Sequence, residues 1–494
     1  MLANTSSPSR HVFYLLNSAL VIGVLLGVAV AVSSPAIVAL TLLILLAIIV
    51  VFKTPTISIL GFIALTSTVL GSDVNPGISL GFGHIYLTDI LLATQFLLIG
   101  GSLLFNLEKK FVRTPLNTPL FLFVAITLLS TVIALIQSKV SLIISLGPIR
   151  DIMNYFIFFS VISLIRTEKQ INILIRGIIA FSVIVSIVMI AQYSMGATLP
   201  FLPGRVEVLS TEGTGFSSVT RIIPPGYSIV FIGFVTTISI WIFNPTRQRS
   251  LILTIPLVLN GIGILLTFKR HFWVALVLIF MIMALISNRK EIQKFVIRGI
   301  STLAIMLVGI FFIMNYTGTT GPDLIKGSFD RLISLTELQT YQDPNSSLRW
   351  RDFEIQYAIP QIASHPLIGI GLGTMYRPFV PGKDWSEFDG RAFVHNGIYS
   401  VLLKSGWLGF LSLTWVMVLF VARGFKYWRL IPNQFHGAFM LGFTLSILGM
   451  IVGLWVEPLI TEWSWTGIIA VMMGINETLI RTVPVFAENT GNSI

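Results

Sequence analysis

Residues 251–287 read LILTIPLVLNGIGILLTFKRHFWVALVLIFMIMALIS, which is two apolar runs on either side of a short cationic turn. A helix that crosses a bilayer needs about 20 mostly apolar residues, and each run comes close to that length. The turn between them holds Lys269, Arg270 and His271 and leaves almost no room for a loop. This stretch therefore predicts two transmembrane helices joined as a hairpin, with cations fixed at its tip.

The rest of the chain has the same apolar character. Of its 494 residues, 54% are hydrophobic and only 11% are charged, against roughly 25% charged in soluble domains, and the mean hydropathy is +0.88. Because so few charges cannot cover a soluble surface, the predicted fold class is an all-α polytopic membrane protein. About fourteen transmembrane helices are predicted, at about 12–32, 36–52, 56–71, 87–106, 119–137, 147–165, 171–192, 226–243, 251–268, 271–287, 299–316, 405–422, 437–456 and 459–475.

Basic residues give the predicted orientation. The net charge is +11, and short loops rich in Lys and Arg stay on the cytoplasmic side of a membrane. With both termini in the cytoplasm, most Lys and Arg fall in inner loops, while the short outer loops at 33–35, 72–86 and 457–458 have none. The orientation of the chain in the lipid bilayer thereby accounts for most of the positive charge, and no nucleic-acid partner is predicted.

The predicted helices divide the chain into three parts. Residues 1–316 hold transmembrane helices 1–11, residues 317–394 form one large periplasmic loop, and residues 395–494 hold helices 12–14 and a cytoplasmic tail. Aromatic residues in the large loop predict order, with a helix at about 347–364 on the outer membrane face. A second outer segment, 194–225, is polar and rich in Gly and Pro, and is expected to be a loop.

Ionisable residues gather at the predicted outer ends of the helices. Charged groups inside a membrane are costly and therefore mark functional sites. A transporter more often carries them at the bilayer midplane, on broken helices in repeated halves, and that pattern is absent from this sequence. A transporter of a small solute or lipid-linked glycan remains the alternative, and a non-catalytic scaffold is a third reading, but the pattern favours an enzyme that acts on a lipid headgroup.

Arginines near the outer face are the candidate anion-binding residues. Arg270 lies at the tip of the hairpin, where it is either a snorkelling membrane anchor or part of a diphosphate clamp, since a guanidinium matches phosphate oxygens and keeps its charge. Arg349 and Arg351 lie in the large loop, where Arg351 could instead pair with Asp352 or Glu354.

His395 is the candidate general base, because imidazole titrates near neutrality and can take a proton from a sugar hydroxyl. Asn396 could orient it or the substrate, and His365, which precedes a proline, is a weaker rival. The chain has no cysteine, which excludes disulfides, thiolate metal sites and a cysteine nucleophile. No outer loop carries an HExxH or Asp-any-Asp motif, so neither a metal nor a cofactor is predicted.

Five segments together resemble the O-antigen ligase/polymerase family of bacterial membrane glycosyltransferases, over about 255–425. They are the Thr-any-any-Arg turn ending at Arg270, the large outer loop with Arg351, HPLIGIGLG at 365–373, His-Asn-any-any-Tyr at 395–399 and KSGWLG at 404–409.

The resemblance implies a C-type glycosyltransferase fold and an undecaprenyl diphosphate glycan as donor, with no nucleotide sugar and no metal. It implies that Arg270 and Arg351 hold the diphosphate and that His395 serves catalysis. Arg349 is the rival for the second clamp. The other predicted substrate-binding residues are Asn396, Tyr399, Arg221 and Arg150, of which the two arginines would guide diphosphate or acidic sugars.

The expected function is therefore an inverting glycosyltransferase on the outer face of a bacterial inner membrane. The acceptor would be another lipid-linked glycan for a polymerase, or lipid A core or a protein for a ligase. The sequence does not distinguish between these acceptors.

Overall fold

The structure is a computed structural model. It describes residues 46, 48–49, 51, 53–70, 75–79, 84–105, 111–197, 199–211, 214–244, 247–317, 326–327, 347–381 and 389–483. Nearly all of the predicted spans at about 12–32 and 36–52, most of the large loop before residue 347 and the tail after residue 483 lie outside these residues.

The described chain is predominantly helical. Its helices are α1 (Pro55–Ser67), α2 (Leu87–Phe105), α3 (Asn117–Ile136), α4 (Leu142–Met153), α5 (Ile157–Leu164), α6 (Glu168–Met195), α7 (Tyr227–Phe243), α8 (Arg247–Thr267), α9 (Arg270–Ile286), α10 (Arg289–Thr317), α11 (Ser347–Ser364), α12 (Asp389–Ala392), α13 (Gly397–Tyr427), α14 (Gln434–Gly453) and α15 (Trp463–Ile480). Short 3-10 turns lie at Asn154–Phe156 and Leu459–Thr461.

Six helices among the described residues are long and apolar enough to cross a membrane. They are α3, the α4–α5 pair, α6, α10 up to Phe311, α13 and α14, and α1, α2, α7, α8 and α9 contain shorter apolar segments. Large apolar side chains on α10, such as Ile297 and Ile300, are exposed, which suits contact with lipid tails. The predicted membrane class is confirmed at this level, while the count of fourteen spans and the C-type fold stay predictions.

The centre of the helical bundle consists of α7, α14 and α15, which are buried on nearly all sides. Small residues allow these helices to approach closely, as membrane helices often do. A side chain added at Gly442 of α14 would meet the backbone of Thr236 in α7 at 2.6 Å. The candidate site is thus built at the ends of rigid, tightly packed helices.

Two small β-hairpins interrupt the predicted all-helical pattern. β1 (Gly77–Ser79) pairs with β2 (His84–Tyr86), and β3 (Arg205–Thr211) pairs with β4 (Thr214–Ile223), both antiparallel. The second hairpin replaces the loop expected at 194–225, so that expectation was wrong there. Its strands are rich in Val and Thr, which favour extended structure, and Pro224 and Pro225 follow β4 immediately.

The large loop contains the predicted helix at 347–364, which is α11. Residues 366–371 of the HPLIGIGLG motif, which we call the glycine run, lie along the first half of α13. Ile370 donates its N–H to Leu403 O at 2.8 Å, and Trp407 donates to Pro366 O at 2.8 Å. These bonds are possible because α13 is broken at Gly406, whose φ is +63°. The predicted span at 405–422 is therefore the second part of a longer, interrupted helix.

The two ends of the bundle are tied by different contacts. The turn between α8 and α9, at 267–270, meets the turn at 454–462 that follows α14, and we call this the site end. At the opposite end, Asn433 donates to Glu168 at 2.7 Å and Arg429 donates to Ile286 O at 2.7 Å. All residues discussed next lie at or near the site end.

Candidate active site

A buried ion pair joins the two turns of the site end. The Lys269 Nζ lies 2.6 Å from Glu457 Oε1 and 4.0 Å from the centre of the Tyr227 ring, and its side chain is only 5% exposed. Burial opposes ionisation of Glu457, but the positive charges of Lys269, His271 and Arg351 outweigh it and lower the pKa of Glu457 to about 2. Glu457 is therefore ionised at neutral pH, and its negative charge lies next to the surrounding cations.

Two predicted clamp residues meet beside this pair. Arg351, on α11, donates from Nε to Val456 O at 3.1 Å, one residue before Glu457. Burial lowers the pKa of Arg351, and the like charge of Arg270 lowers it further, against the opposing charges of Glu457 and Glu354. The two guanidinium groups, 81 positions apart in sequence, are thus close enough to repel each other.

Arg349 faces a different environment from Arg351. Successive residues of an α-helix are turned by about 100°, so two residues apart lie on nearly opposite sides. Arg349 is exposed, whereas Arg351 is partly buried against the turn at 454–462. The charge of Arg270 acts on Arg351, and the choice between Arg349 and Arg351 as the second clamp stays a prediction.

His395 forms a dyad with Glu354, which lies one helical turn after Arg351 on the same face of α11. The Nδ1 of His395 lies 2.8 Å from Glu354 Oε1, and its backbone N–H donates to Oε2, also at 2.8 Å. Glu354 is 1% exposed, while the His395 side chain is 27% exposed. The carboxylate accepts from Nδ1–H, which leaves Nε2 as the basic nitrogen.

Asn396 and Tyr399 both have structural contacts at the start of α13, and their predicted role in substrate binding stays a prediction. Asn396 caps α13, since its side-chain oxygen accepts from the N–H groups of Ile398 and Tyr399 at 3.0 and 3.2 Å, and its amide donates to Trp455 O at 3.3 Å. Tyr399 packs against a small apolar cluster that includes Ala358 and Leu403. Asn396 thereby fixes the start of α13 immediately after His395.

Arg221 also belongs to the site end. It lies on β4 directly opposite Glu207, contacts that carboxylate at 3.1 Å and donates to Thr267 O at 3.1 Å. Burial lowers the pKa of Arg221, which the negative charges of Glu207 and Glu457 oppose. The hairpin β3–β4 thus adds a cation beside the α8–α9 turn.

Arg150 has a separate set of contacts. It pairs with Asp89 at 2.9 Å, donates to His84 O at 2.8 Å and stacks over the Tyr86 ring at 4.4 Å. These contacts tie α4 to β2 and the start of α2. No described contact brings Arg150 to Arg270 or Arg351.

Sequence reasoning missed the acidic half of the site. From the sequence, Glu354 was considered only as a partner for Arg351, because the predicted helix places these two side chains three residues apart on one face. Its contact with His395 was not predicted. Glu457 was not singled out, although it lies in a short turn between two spans at the predicted outer level. A carboxylate in that turn was the signal from which Glu457 could have been predicted as a site residue.

A comparison with known families bears on this arrangement. Residues 255–414 match the profile of the family described as O-antigen ligase. The match covers 160 of the 494 residues. The matched region runs from α8 to the first half of α13, so it contains Arg270, Arg351, Glu354 and His395. No curated protein matches the chain.

The family match and the apolar helices together indicate a multi-pass membrane protein, and the family match suggests a role in glycan transfer. They also support a glycosyltransferase-like enzyme of polysaccharide biosynthesis. The resemblance seen in the sequence is confirmed by this match.

Proposed function

We propose that the protein transfers a glycan from undecaprenyl diphosphate to an acceptor hydroxyl on the periplasmic face of a bacterial inner membrane. The proposal rests on one observation. The charges of Arg270 and Arg351 are close enough to interact, beside a dyad of His395 and Glu354. One helix, α11, supplies both Arg351 and Glu354. The cation and the carboxylate that orients the base are therefore held on one helix.

The two guanidinium groups act on the donor. Each carries a permanent positive charge, and a diphosphate has the oxygen geometry that guanidinium groups match. As the bond between the anomeric carbon and the diphosphate oxygen breaks, negative charge grows on that oxygen. Arg270 and Arg351 stabilise this charge and so make undecaprenyl diphosphate a better leaving group.

The dyad acts on the acceptor. The Nε2 of His395 takes the proton of the acceptor hydroxyl, while the hydroxyl oxygen forms a bond to the anomeric carbon. Glu354 orients the ring through Nδ1 and stabilises the imidazolium that results. Attack opposite the leaving diphosphate inverts the anomeric configuration, and these steps require no metal and no nucleotide sugar.

The charge distribution supports the proposed orientation. Many exposed basic residues flank the opposite end, among them Lys169, Arg289 and Lys290, and such residues favour the cytoplasmic side. The site end then faces the periplasm, where lipid-linked glycans are available. The acceptor is a second lipid-linked glycan in a polymerase, and lipid A core or a protein in a ligase.

Glycan profiling in a strain that lacks the native gene tests the proposal. We expect His395→Ala to abolish the polymer or the attached glycan that the wild-type gene restores. His365→Ala is the matched control, because His365 contacts Lys139 and Ser364 away from the dyad, and it should restore the glycan. Normal chain length and attachment with His395→Ala would remove this residue from the mechanism.

The same profiles distinguish the two acceptors. Shortened chains with attachment retained indicate a polymerase, whereas full-length chains that stay on the lipid carrier indicate a ligase. The anomeric configuration of the new linkage, compared by NMR with that of the donor, tests inversion.

A further inference from the structure

A cavity of about 230 Å³ lies next to the proposed catalytic residues. Its walls come from α3, α4 and α13, from residues 372–373 and 392–394, and from the turn at 458–463. Arg270, Arg351 and His395 do not line it. The cavity is thus distinct from the position proposed for the diphosphate.

Three ionisable side chains face this small space, namely Asp151, Lys404 and Glu462. The Lys404 Nζ donates to Thr374 O at 2.6 Å, which occupies one of the three hydrogens of an ammonium group. Glu462 accepts from the Tyr227 hydroxyl at 3.1 Å through one oxygen. The cavity therefore keeps donors on one wall and acceptors on another.

The Asp151 carboxyl is the group that most needs a ligand. Within the described part of the chain, no hydrogen bond or ion pair reaches this side chain, although the charges of Glu462 and Arg150 are close enough to affect it. Asp151 is partly buried and lines the cavity, so water or a ligand there must supply its hydrogen bonds. A ligand with hydroxyl groups would supply the missing donor.

The rest of the lining indicates the class of ligand. The rings of Phe123, Phe393 and Trp463 provide apolar faces, and Thr127, Ser400 and Ser405 provide hydroxyls. Such a mixture suits a sugar, which has apolar C–H faces and a rim of hydroxyls that both donate and accept. Two carboxyl groups and the absence of any arginine from the lining disfavour an acidic sugar.

The position of the cavity relates it to the acceptor. Phe393 lines it, and the Phe393 ring lies 4.9 Å from the His395 ring, edge to face. Glu462 is linked through the Tyr227 hydroxyl to Glu457, beneath the clamp. A sugar in the cavity would lie beside the proposed base and outside the position of the diphosphate.

We propose that the cavity faced by Asp151, Lys404 and Glu462 binds the terminal sugar of the acceptor and selects neutral sugars over acidic ones. This assignment to the acceptor rests on the proposed function. Binding of a neutral sugar in the cavity does not rest on the proposed function, and it can be measured without any transfer reaction.

The binding arm uses the purified full chain in detergent, with methyl glucoside, methyl galactoside, N-acetylglucosamine and glucuronate as probes. Saturation-transfer NMR should detect binding of at least one neutral sugar to the wild-type protein and to His395→Ala, and no binding of glucuronate. Asp151→Asn should weaken that binding about tenfold or more, as expected for loss of the carboxyl as a hydrogen-bond partner. Asp352→Asn, an exposed aspartate on α11, should bind as the wild type does.

The proposal would be overturned if none of the neutral sugars bound the wild-type protein. It would also be overturned if Asp151→Asn bound them as tightly as the wild type does. Because a folding defect would also weaken binding, the helicity and unfolding temperature of this variant are compared with those of the wild type. Lys404→Met provides a second test from the opposite wall.

The kinetic arm uses lipid-linked glycan extracted from the producing bacterium as donor. Asp151→Asn should raise the KM for the acceptor about tenfold and leave the KM for the donor unchanged. A change in the donor KM alone would contradict the assignment to the acceptor. If sugars bind but the wild-type protein transfers no glycan, the proposed function fails while the cavity stands.

Discussion

At the scale of single residues, the dyad of His395 and Glu354 makes a prediction that packing alone does not. Glu354→Gln keeps the size of the side chain but removes the charge that stabilises an imidazolium. We expect kcat to fall by about 10²–10⁴-fold, with the KM for the donor unchanged. The measurement is transfer by the purified variant at several donor concentrations.

The matched control for that variant is Asp352→Asn, on an exposed position of the same helix, which should retain full activity. A Glu354→Gln variant whose kcat equals that of the wild type would show that Glu354 serves only to pack α11.

The Lys269–Glu457 pair makes a second prediction at this scale, for stability. Glu457→Gln leaves the buried ammonium of Lys269 without its counter-charge, which should lower the free energy of unfolding by about 3–5 kcal/mol. The exposed pair of Arg205 and Glu207 is the control, because Arg205 is 64% exposed and Arg205→Gln should cost at most about 1 kcal/mol. Thermal unfolding in detergent measures both.

The same pair determines a pH dependence. The pKa of Glu457 is lowered to about 2 from the ordinary 4.5, so its contribution is complete above about pH 4.5 and is lost as the pH falls towards 2. Below pH 4.5, the unfolding temperature of the wild type should therefore fall more steeply than that of Glu457→Gln. Equal slopes would mean that Glu457 is not held ionised.

At the scale of elements, the break in α13 connects two sequence motifs whose role the sequence left open. The glycine run at 366–371 and the KSGWLG segment at 404–409 hydrogen-bond to each other across the break at Gly406. A side chain at Gly406 would collide with the backbone of Leu367 and would require a left-handed conformation. The two motifs are one structural unit.

Gly406→Ala tests this unit. We expect a loss of at least about 1–2 kcal/mol from the left-handed conformation alone, with further loss from the collision. Gly61→Ala is the control, because a side chain at Gly61 in α1 meets nothing within 4 Å, and it should be neutral or slightly stabilising. Unfolding temperatures that fall equally for both variants would contradict the account.

The elements also show what sequence could and could not predict. The apolar runs predicted the helices well, and the aromatic pattern of the large loop predicted α11, because these signals are local. The β3–β4 hairpin was missed because its Gly and Pro residues also suit a loop. Glu457 lies 188 positions from Lys269, and a contact over that separation leaves no local signal in one sequence.

At the scale of the whole molecule, orientation in the membrane is the open prediction. The chain contains no cysteine, so a single introduced cysteine can be labelled without background. Arg205→Cys, on the hairpin of the site end, should react with a membrane-impermeant maleimide in intact spheroplasts. Lys169→Cys, at the opposite end, should react only after the membrane is opened, and the reverse pattern would place the site in the cytoplasm.

The central claim is that Arg270 and Arg351 together hold a lipid diphosphate. The most direct measurement is the Kd of undecaprenyl diphosphate for the purified protein in detergent. Arg270→Ala and Arg351→Ala should each weaken binding by roughly 10–100-fold, while Arg349→Ala, on the exposed side of α11, should leave the Kd unchanged. Equal affinity of Arg351→Ala and the wild type, or loss of binding with Arg349→Ala alone, would contradict the claim.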